Sequence, residues 1–297
     1  FVTTKQGDHR WLYVTLGRLE GGAQGYLGSA FDITERKQME QELRYLAFND
    51  PLTDLPNRKF LINRLSALVS EWQGAARVDP NRPAFALMFI DVNRFKLIND
   101  NFGVSKADQL LKVIARRIRA ALPRASLVSR VGGDEFAVIF EGADQVSLVE
   151  RDAERLHQTF DQAFRLGEQE FFLSVSVGIA PFSVRYQDAE ALYRDATLAK
   201  ERAREHGLGR SCVFDSAMHQ SVQSRLELER KLREALKNEA FELLYQPIVR
   251  LPDGQLSGFE ALVRWRKPDG TLAFPGEFIA LAEETGLINP LGDWVLR

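Results

Sequence analysis

Acidic side chains stand at two places where β-rich segments of the chain end or turn. Asp91 follows the unbroken apolar run 85–90, and such a run is typical of a strand buried on both faces. A glycine pair at 132–133 precedes an acidic pair at 134–135, and the β-rich runs on either side predict a tight hairpin. Taken singly, each feature also fits a plain structural role, as a strand-end cap or an ordinary Gly-Asp turn.

Together these acids predict chemistry that neither position predicts alone. A hairpin tip beside the strand that ends at Asp91 would crowd several carboxylates, and like charges in one site are costly unless a cation offsets them. Oxygen ligands favour Mg²⁺ or Mn²⁺ shared with substrate phosphates, and glycine lets phosphates approach the backbone. We therefore expect a divalent metal and a phosphorylated ligand at this tip.

The bulk properties bound the class of protein. A chain of 297 residues is long enough for two or more domains. The net charge of −2 gives no surplus of Lys and Arg for binding nucleic acid or an anionic membrane. The single cysteine, Cys212, excludes an intramolecular disulfide framework and fits a reducing compartment.

The chain also lacks the features of a complete membrane or secreted protein. It begins at Phe1 and carries no apolar run of the ~20 residues that span a bilayer. We expect a cytoplasmic piece of a longer protein, which is tethered to a membrane only if its other parts supply an anchor.

Helical and strand patterns alternate through the middle of the chain. Helices are predicted near residues 57–72, 105–122, 144–164 and 188–206, and strands at 85–92, on both sides of the glycine pair and at 171–180. Helices interleaved with a few strong strands imply an α/β or α+β layer fold.

The first 49 residues have a different character. Two β-rich stretches, 10–18 and 26–33, predict a hairpin, and a charged helix follows from Thr34. Met39, Leu43 and Leu46 form a narrow apolar stripe on that helix. The stripe fits either a short coiled-coil dimer or a single linker helix.

Several motifs occur in order between about residues 48 and 215. They are Asp50-Pro-Leu-Thr-Asp-Leu-Pro-Asn-Arg, Asp91-Val-Asn-Arg-Phe-Lys-Leu-Ile-Asn-Asp, Asp108, Gly132-Gly-Asp-Glu-Phe and Ser176-Val-Gly-Ile-Ala. This set resembles the GGDEF family of diguanylate cyclases. The resemblance implies a palm-like fold related to nucleotidyl cyclases, with a central, mainly antiparallel sheet flanked by helices. It also implies a homodimer that joins two GTP molecules into cyclic di-GMP and releases pyrophosphate.

The resemblance also implies roles for individual residues. Asp91 and Asp134 would hold Mg²⁺ or Mn²⁺, assisted by the Val92 carbonyl and Glu135. Asp134 would accept the proton of the attacking hydroxyl, and Glu135 and Lys96 would complete the catalytic set. Lys96 would stabilise phosphate charge, and the alternative for it is a solvated surface lysine.

The remaining implied contacts are with GTP. Asn99 and Asp108 fall where the family recognises guanine, and the other implied GTP contacts are Phe95, Lys96, Gly132, Gly133 and Arg204. Asp108 has a structural alternative, because Ser105 and Asp108 are spaced as a helix-capping box.

The chain departs from the family pattern near the substrate. Val104 and Ala107 replace a usual His and Gly, Arg204 replaces a usual lysine, and Leu208 replaces a frequent arginine. Loss of a charged contact at Leu208 would cost about 1.5–3 kcal/mol of GTP binding. The sequence therefore predicts weakened substrate binding with the metal ligands intact.

A regulatory motif is also altered. Many family members carry Arg-x-x-Asp just before the hairpin as a product-inhibition site, and here those positions are Pro123 and Ser126. We expect no feedback inhibition through this site.

The flanking segments resemble parts of other signalling domains. Residues 241–297 resemble the start of an EAL phosphodiesterase, a TIM-like barrel of about 250 residues, in which Glu260 would be a metal ligand and Gln246 and Arg264 would bind the dinucleotide. A quarter of such a barrel is not expected to hydrolyse cyclic di-GMP. Residues 1–36 resemble the closing strands of a PAS sensor, with a generic hairpin as the alternative.

These resemblances define a domain plan and two competing functions. The predicted segments are the end of a PAS domain at 1–36, a signalling helix at 37–49, a GGDEF domain at 50–215, a linker helix at 216–238 and an EAL start at 239–297. The leading hypothesis is an active diguanylate cyclase. The alternative is a GTP-binding module that turns over poorly and regulates the phosphodiesterase that follows it.

Overall fold

The computed structural model describes residues 2–3, 9–18, 26–75, 85–142, 146–267 and 269–296. The chain forms two compact units, Phe1–Phe214 and Asp215–Arg297. Within the described ranges, no helix combines the length and the apolar character that a membrane span requires.

The first unit alternates strands and helices. Its strands are β1 (Val2–Thr3), β2 (His9–Arg10), β3 (Leu12–Arg18), β4 (Tyr26–Asp32), β5 (Phe85–Val92), β6 (Leu127–Gly132), β7 (Glu135–Glu141), β8 (Phe164–Leu166), β9 (Gln169–Phe171), β10 (Val175–Pro181) and β11 (Ser211–Val213). Its helices are α1 (Thr34–Phe48), α2 (Arg58–Ala75), α3 (Phe95–Phe102), α4 (Val104–Ala121), α5 (Val146–Phe160) and α6 (Ala189–Glu205).

The hairpin predicted near the start of the chain is present. β3 and β4 pair antiparallel, with Leu12 opposite Asp32, whereas the predicted connecting turn at residues 20–25 lies outside the described residues. The apolar stripe of α1 is exposed, because Met39, Leu43 and Leu46 each expose half or more of their surface. A coiled coil and a single linker helix both remain compatible with this exposure.

Five strands form the central sheet of this unit. Their order is β11-β10-β5-β7-β6, and every neighbouring pair is antiparallel except β10 and β11. All eight residues of β5 are buried, because the strand lies in the middle of the sheet between helical layers. The predicted fold class, a mainly antiparallel sheet flanked by helices, is confirmed.

The alternation of side chains along β5 assigns its two faces. Met88 and Ile90 belong to the core that includes residues of α4 and α5. Phe85 and Phe89 point the other way, with ring centroids 6.4 Å from Trp72 of α2 and 5.2 Å from Tyr193 of α6, respectively. Because successive strand residues face opposite sides, Asp91 lies on the same face as Phe89, toward α6.

One glycine sets how closely α6 approaches the sheet. A Cβ placed on Gly178 of β10 would lie 2.2 Å from the carbonyl oxygen of Ala196 and 2.2 Å from the backbone nitrogen of Lys200. The helix backbone therefore rests directly on the strand backbone. No side chain larger than hydrogen fits between them.

The structure refines several sequence expectations. The predicted strand 171–180 begins at Val175, while Phe171 belongs to the short β8–β9 hairpin that the sequence did not predict. Helix α3 was also missed. It is a separate helix, because Gly103, with a φ of +80°, lies between it and α4. The capping-box alternative for Asp108 is wrong, because α4 begins at Val104 and its N-cap makes no side-chain hydrogen bond.

The second unit packs three strands against helices. Its elements are α7 (Ala217–Lys237), β12 (Phe241–Val249), β13 (Leu256–Arg266), β14 (Leu272–Ala273), α8 (Pro275–Glu284) and α9 (Ile288–Val295). The strands form an antiparallel sheet in chain order. Phe241, Trp265 and Phe278 form the aromatic centre of its core, with Leu232 of α7 buried beside them.

The contact at Gly178 predicts a large effect of a small substitution. G178A must displace α6 from the sheet, so we expect it to lower the free energy of unfolding by more than about 3 kcal/mol in urea denaturation. The matched control is G74A in α2, where an added Cβ meets nothing within 4 Å. There alanine should raise stability by up to about 1 kcal/mol. Equal effects of the two substitutions would contradict the close packing of α6.

Candidate metal and nucleotide site

The candidate site lies where β5 ends beside the start of β7. Asp91 is directly opposite Glu135 in the β5–β7 register and opposite Ser176 in the β5–β10 register. Asp91 is buried and Glu135 half-buried. The antiparallel pairing thus brings a strand-end acid and a hairpin acid together, as the sequence predicted.

The hairpin turn is held from both sides. Gly133 has a φ of +50°, which favours glycine, and the carbonyl oxygen of Asp134 accepts a hydrogen bond of 3.3 Å from the Val92 N–H. Arg130 donates to the Gly133 carbonyl at 2.7 and 3.0 Å, and to both carboxylate oxygens of Asp50 at 2.9 and 3.0 Å. One guanidinium therefore fixes the turn to the motif that opens this domain.

A small polar network fixes the end of β5. Buried Asn93 donates through Nδ2 to the Ser174 hydroxyl at 3.0 Å, and its Oδ1 accepts from the Ser176 hydroxyl at 2.8 Å. Its backbone N–H also donates to the Ser174 carbonyl, at 2.9 Å. These bonds tie the segment that follows Asp91 to β10.

Lys200 of α6 is a site residue that sequence reasoning missed. Its Nζ donates to Glu135 at 3.0 Å and to Glu201 at 2.7 Å, and it lies 5.5 Å from the centroid of the Phe89 ring. Only 3% of its side chain is exposed. The sequence held a signal, since Lys200 occupies the small-residue face of the helix beside Ala196 and Ala203.

Arg204 lies one turn further along α6. It pairs with Glu201 at 2.6 Å and lies 3.8 Å from Asp91, and about half of its side chain is exposed. An unbroken chain of ionic contacts therefore runs from Glu135 through Lys200, Glu201 and Arg204 to Asp91.

Burial and neighbouring negative charges disfavour the ionised forms of two carboxylates in this site. Burial raises the pKa of Asp91, and the charges of Asp134 and Glu135 add to this effect, although Lys200 and Arg204 oppose it. Burial and the charge of Glu135 likewise raise the pKa of Asp134. Raised pKa values mean that the ionised acids lack sufficient positive charge around them.

This donor set fits a hard divalent cation. Asp91, Asp134 and the Val92 carbonyl would supply the oxygen ligands that Mg²⁺ and Mn²⁺ prefer, and the raised pKa values of both acids indicate room for added positive charge. In the described part of the chain, no group of three His, Cys, Asp or Glu side chains already converges as a metal cage. The protein side therefore fits a cation that is completed by water and phosphate oxygens.

The predicted substrate residues on α3 and α4 make no described contact with the acids of this centre. Lys96 and Asn99 are exposed on α3, Phe95 is buried there, and Asp108 is half-buried on α4. Among the described contacts, no hydrogen bond or ion pair joins Lys96, Asn99 or Asp108 to the carboxylates. Their roles toward GTP stay predictions.

A cavity of about 410 Å³ adjoins the end of β5. Asn93, Arg94, Leu97, Ser174 and Leu208 are among its lining residues. The side chain at 208, where the family frequently has arginine, thus faces the cavity without a charge.

A second cavity, of about 600 Å³, lies between α1 and α2. Tyr45, Phe48 and Phe60 line it, and its lining includes no acid. Because it offers no carboxylate, it does not fit a site for metal-bound phosphates.

In the second unit, the three predicted residues share one sheet region. Gln246 is directly opposite Glu260 in the β12–β13 register, and Arg264 lies four residues further along β13. Gln246 and Glu260 are exposed, whereas Arg264 is half-buried with its guanidinium 4.9 Å from the Phe274 ring centroid. Strand alternation puts all three on one face.

Comparison with known families agrees with this arrangement. The model of the family "Diguanylate cyclase, GGDEF domain" matches residues 47–210, and the EAL domain model matches residues 229–297. The GGDEF domain of TpbB (YfiN) from Pseudomonas aeruginosa superposes with a TM-score of 0.54 and 33% identity. That match covers 59% of this chain and 99% of the TpbB domain.

Two longer curated relatives are similar to this chain over most of its length. MucR of Pseudomonas aeruginosa, named a bifunctional diguanylate cyclase/cyclic di-GMP phosphodiesterase, is 38% identical over 89% of this chain and 37% of MucR. PdeR of Escherichia coli, named a cyclic di-GMP phosphodiesterase, is 37% identical over 90% of this chain and 39% of PdeR. The chain spans about a third of the length of the curated relatives it matches.

The Arg130 contacts predict a pH-dependent contribution to stability. Burial opposes ionisation of Asp50, but hydrogen bonds from Thr53 and Arg130 lower its pKa overall. A lowered carboxylate pKa stabilises the fold above the unfolded value of about 3.9, and this stabilisation is lost as the pH falls through the folded value. We expect R130A to lower stability by about 3 kcal/mol at pH 7, and by less as the pH falls below 4.

The control for this prediction is R64A. Arg64 also pairs with both oxygens of a carboxylate, but the side chains of both partners are more than a third exposed. We therefore expect R64A to lower the free energy of unfolding by less than about 1 kcal/mol. Thermal unfolding of both variants between pH 3 and 7 makes the comparison. A loss in R130A no larger than in R64A would show that Arg130 does not hold the turn.

The raised pKa of Asp134 predicts a metal-dependent change in stability. Because its pKa is raised, stability is lost as the pH rises from the unfolded value through the folded value, and the ionised form carries the full cost at pH 7. D134N removes that charge. When both proteins are measured in EDTA, without bound metal, the melting temperature of D134N should exceed that of the wild type. Added Mg²⁺ should stabilise the wild type and the exposed-site control D161N, but not D134N. A Mg²⁺ response that survives in D134N would contradict the predicted ligand.

Proposed function

Because the chain belongs to the GGDEF family of diguanylate cyclases, we propose that its first unit condenses two GTP molecules into cyclic di-GMP. The observation that carries this proposal is the meeting of Asp91 and Glu135 across the β5–β7 pair, next to the turn that bears Asp134. A cluster of acids at the end of a strand, in which the pKa values of Asp91 and Asp134 are raised, suits phosphoryl chemistry that needs a divalent cation.

The metal would be held by Asp91, Asp134 and the Val92 carbonyl. Bound there, a divalent ion would polarise the α-phosphate and favour ionisation of a 3′-hydroxyl. The protein's part is to keep the two acids fixed, through the Arg130 contacts to the turn and the Asn93 network at the strand end.

The proposed reaction balances as two equivalent displacements. In each, the 3′-oxygen of one GTP bonds to the α-phosphorus of the other, and the bond from that phosphorus to the pyrophosphate oxygen breaks. Pyrophosphate leaves with the bonding electrons, and the proton of the 3′-hydroxyl passes to the Asp134 carboxylate and then to solvent. One GTP per domain requires two copies of the chain to face each other.

The substrate would be held by residues around the acids. Asn99 and Asp108 would pair with the guanine edge, whose adjacent N1–H and amino group form a donor pair that adenine lacks. Lys96 and Arg204 would meet the phosphate charge, and Phe95, Gly132 and Gly133 would shape the cleft. The exposed position of Lys96 and Asn99 on α3 leaves both side chains accessible to a nucleotide.

A regulatory GTP-binding role is the alternative, and two observations favour it. Arg204 is already engaged by Glu201 and Asp91, and Leu208 brings no charge to the cavity beside β5. Both features weaken the binding of a triphosphate. Such a module would tune the EAL phosphodiesterase that begins in the second unit, where Glu260, Gln246 and Arg264 would serve the metal and dinucleotide.

The domain plan of the parent protein is part of the proposal. Residues 1–36 would close a PAS sensor, 37–49 would transmit its signal, 50–215 would be the GGDEF domain, 216–238 a linker helix and 239–297 the start of an EAL domain. The predicted absence of product inhibition would follow from Pro123 and Ser126. Arg124, the nearest arginine, lies 3.7 Å from Asp152 of α5.

The test is formation of cyclic di-GMP from GTP and Mg²⁺, followed by chromatography. We expect the wild-type chain at high concentration to form product, because two copies must meet, and D134A to lose it by at least a hundredfold. D161N, which changes an acid outside the site, serves as the control and should retain activity. Wild type that binds GTP without turnover would favour the regulatory role, and absence of GTP binding would contradict both roles.

A further inference from the structure

Lys200 is an ammonium group enclosed among the acids of the candidate site. Its side chain is 3% exposed, it contacts Glu135 at 3.0 Å and it lies against the Phe89 ring. Lysine is almost never fully buried unless it is paired. We therefore attribute its presence to its charge, which offsets that of the surrounding acids. A methionine or leucine would fill the same space without the cost of desolvating a charge.

Two carboxylates hold the Lys200 ammonium in place. Its Nζ donates to Glu201 at 2.7 Å and to Glu135 at 3.0 Å. The ammonium is thus a fixed cation beside Glu135.

Counting charges shows what remains for a metal to neutralise. Four carboxylates and two cationic side chains form the connected set: Asp91, Asp134, Glu135, Glu201, Lys200 and Arg204. The set keeps two negative charges, and the triphosphate of a bound GTP would add more. What restricts a second divalent ion is therefore position, because such an ion would have to displace the ammonium from Glu135.

We infer that the Lys200 ammonium takes the place of a second divalent ion, so that this site binds one metal ion per bound GTP. The inference rests on the proposed function, since it assumes that Asp91 and Asp134 hold a metal. Two-metal phosphoryl-transfer sites place their ions about 3.5–4 Å apart with carboxylates shared between them. Here Glu135, the acid that would hold the second ion, accepts a hydrogen bond from Lys200 instead.

The test counts metal ions by a method that does not depend on turnover. The full chain is saturated with Mn²⁺ and 3′-deoxy-GTP, which lacks the attacking hydroxyl, and its electron paramagnetic resonance spectrum is recorded. Two Mn²⁺ ions at about 3.5–4 Å give a spin-coupled spectrum that neither a single ion nor free Mn²⁺–nucleotide produces. We expect wild type to bind one Mn²⁺ per chain with no coupled signal.

Substitutions assign the effect to the ammonium. K200M keeps the length and apolar contacts of the side chain and removes the charge, so a second Mn²⁺ and the coupled signal should appear. K200R keeps the charge and should behave as wild type. The control R202M also removes one positive charge from α6, but from a half-buried residue that pairs with Glu205 outside the site, and it should not change the count.

Each contrary result has a separate meaning. A coupled pair in wild type overturns the inference while leaving the proposed function in place, and it does so whether or not K200M folds. A folded K200M that still binds a single ion overturns it as well. Wild type that binds no Mn²⁺ with the nucleotide overturns the metal-dependent function and the inference with it.

Discussion

The backbone contact between α6 and β10 at Gly178 is the constraint on which the candidate site depends. Because glycine has no side chain, the helix lies against the strand, with Lys200 at the point of contact. From there its ammonium reaches Glu135, and Arg204 one turn later reaches toward Asp91. A wider gap would leave three acids facing a solvent-filled groove with no resident cation.

Two opposing effects act on the ionised acids of the site: burial and like charges disfavour them, and nearby cations stabilise them. The sheet buries Asp91 for structural reasons, since it ends a strand whose residues are all enclosed. Burial disfavours its ionised form, and the neighbouring acids disfavour it further. The two cations of α6 offset part of this cost and leave the remainder for a ligand. The affinity that we propose for a metal–nucleotide complex would therefore originate in the packing of the sheet as much as in the acids themselves.

Local patterns predicted the frame of this site well. The unbroken apolar run of β5 and the glycine pair of the β6–β7 turn each lie within a dozen residues of sequence, and the pairing of β6 with β7 follows from the hairpin. Helix α6 was predicted within about one residue at each end. These features depend on neighbours in sequence, which is why the sequence sufficed.

Contacts between distant segments could not be predicted in this way. The burial of Lys200 depends on Gly178, and the partner of Arg130 lies 80 residues earlier in the chain. Helix α3 was missed because its eight residues, between the strand predicted to end at 92 and the helix predicted from 105, are too few to give a clear periodic pattern. The sequence identified the acids of the site, whereas the cations that surround them depend on tertiary structure.

The double contact of Arg130 has a further consequence for local opening of the fold. Its guanidinium bonds both to Asp50, two residues after α1 ends, and to the Gly133 carbonyl in the turn. Asn57 adds hydrogen bonds back to the carbonyls of Ala47 and Asn49. Native proteins open in contiguous cooperative units. Arg130 restrains both the end of α1 and a turn that is remote in sequence, so a disturbance that breaks the Asp50 contact also removes a restraint on the turn.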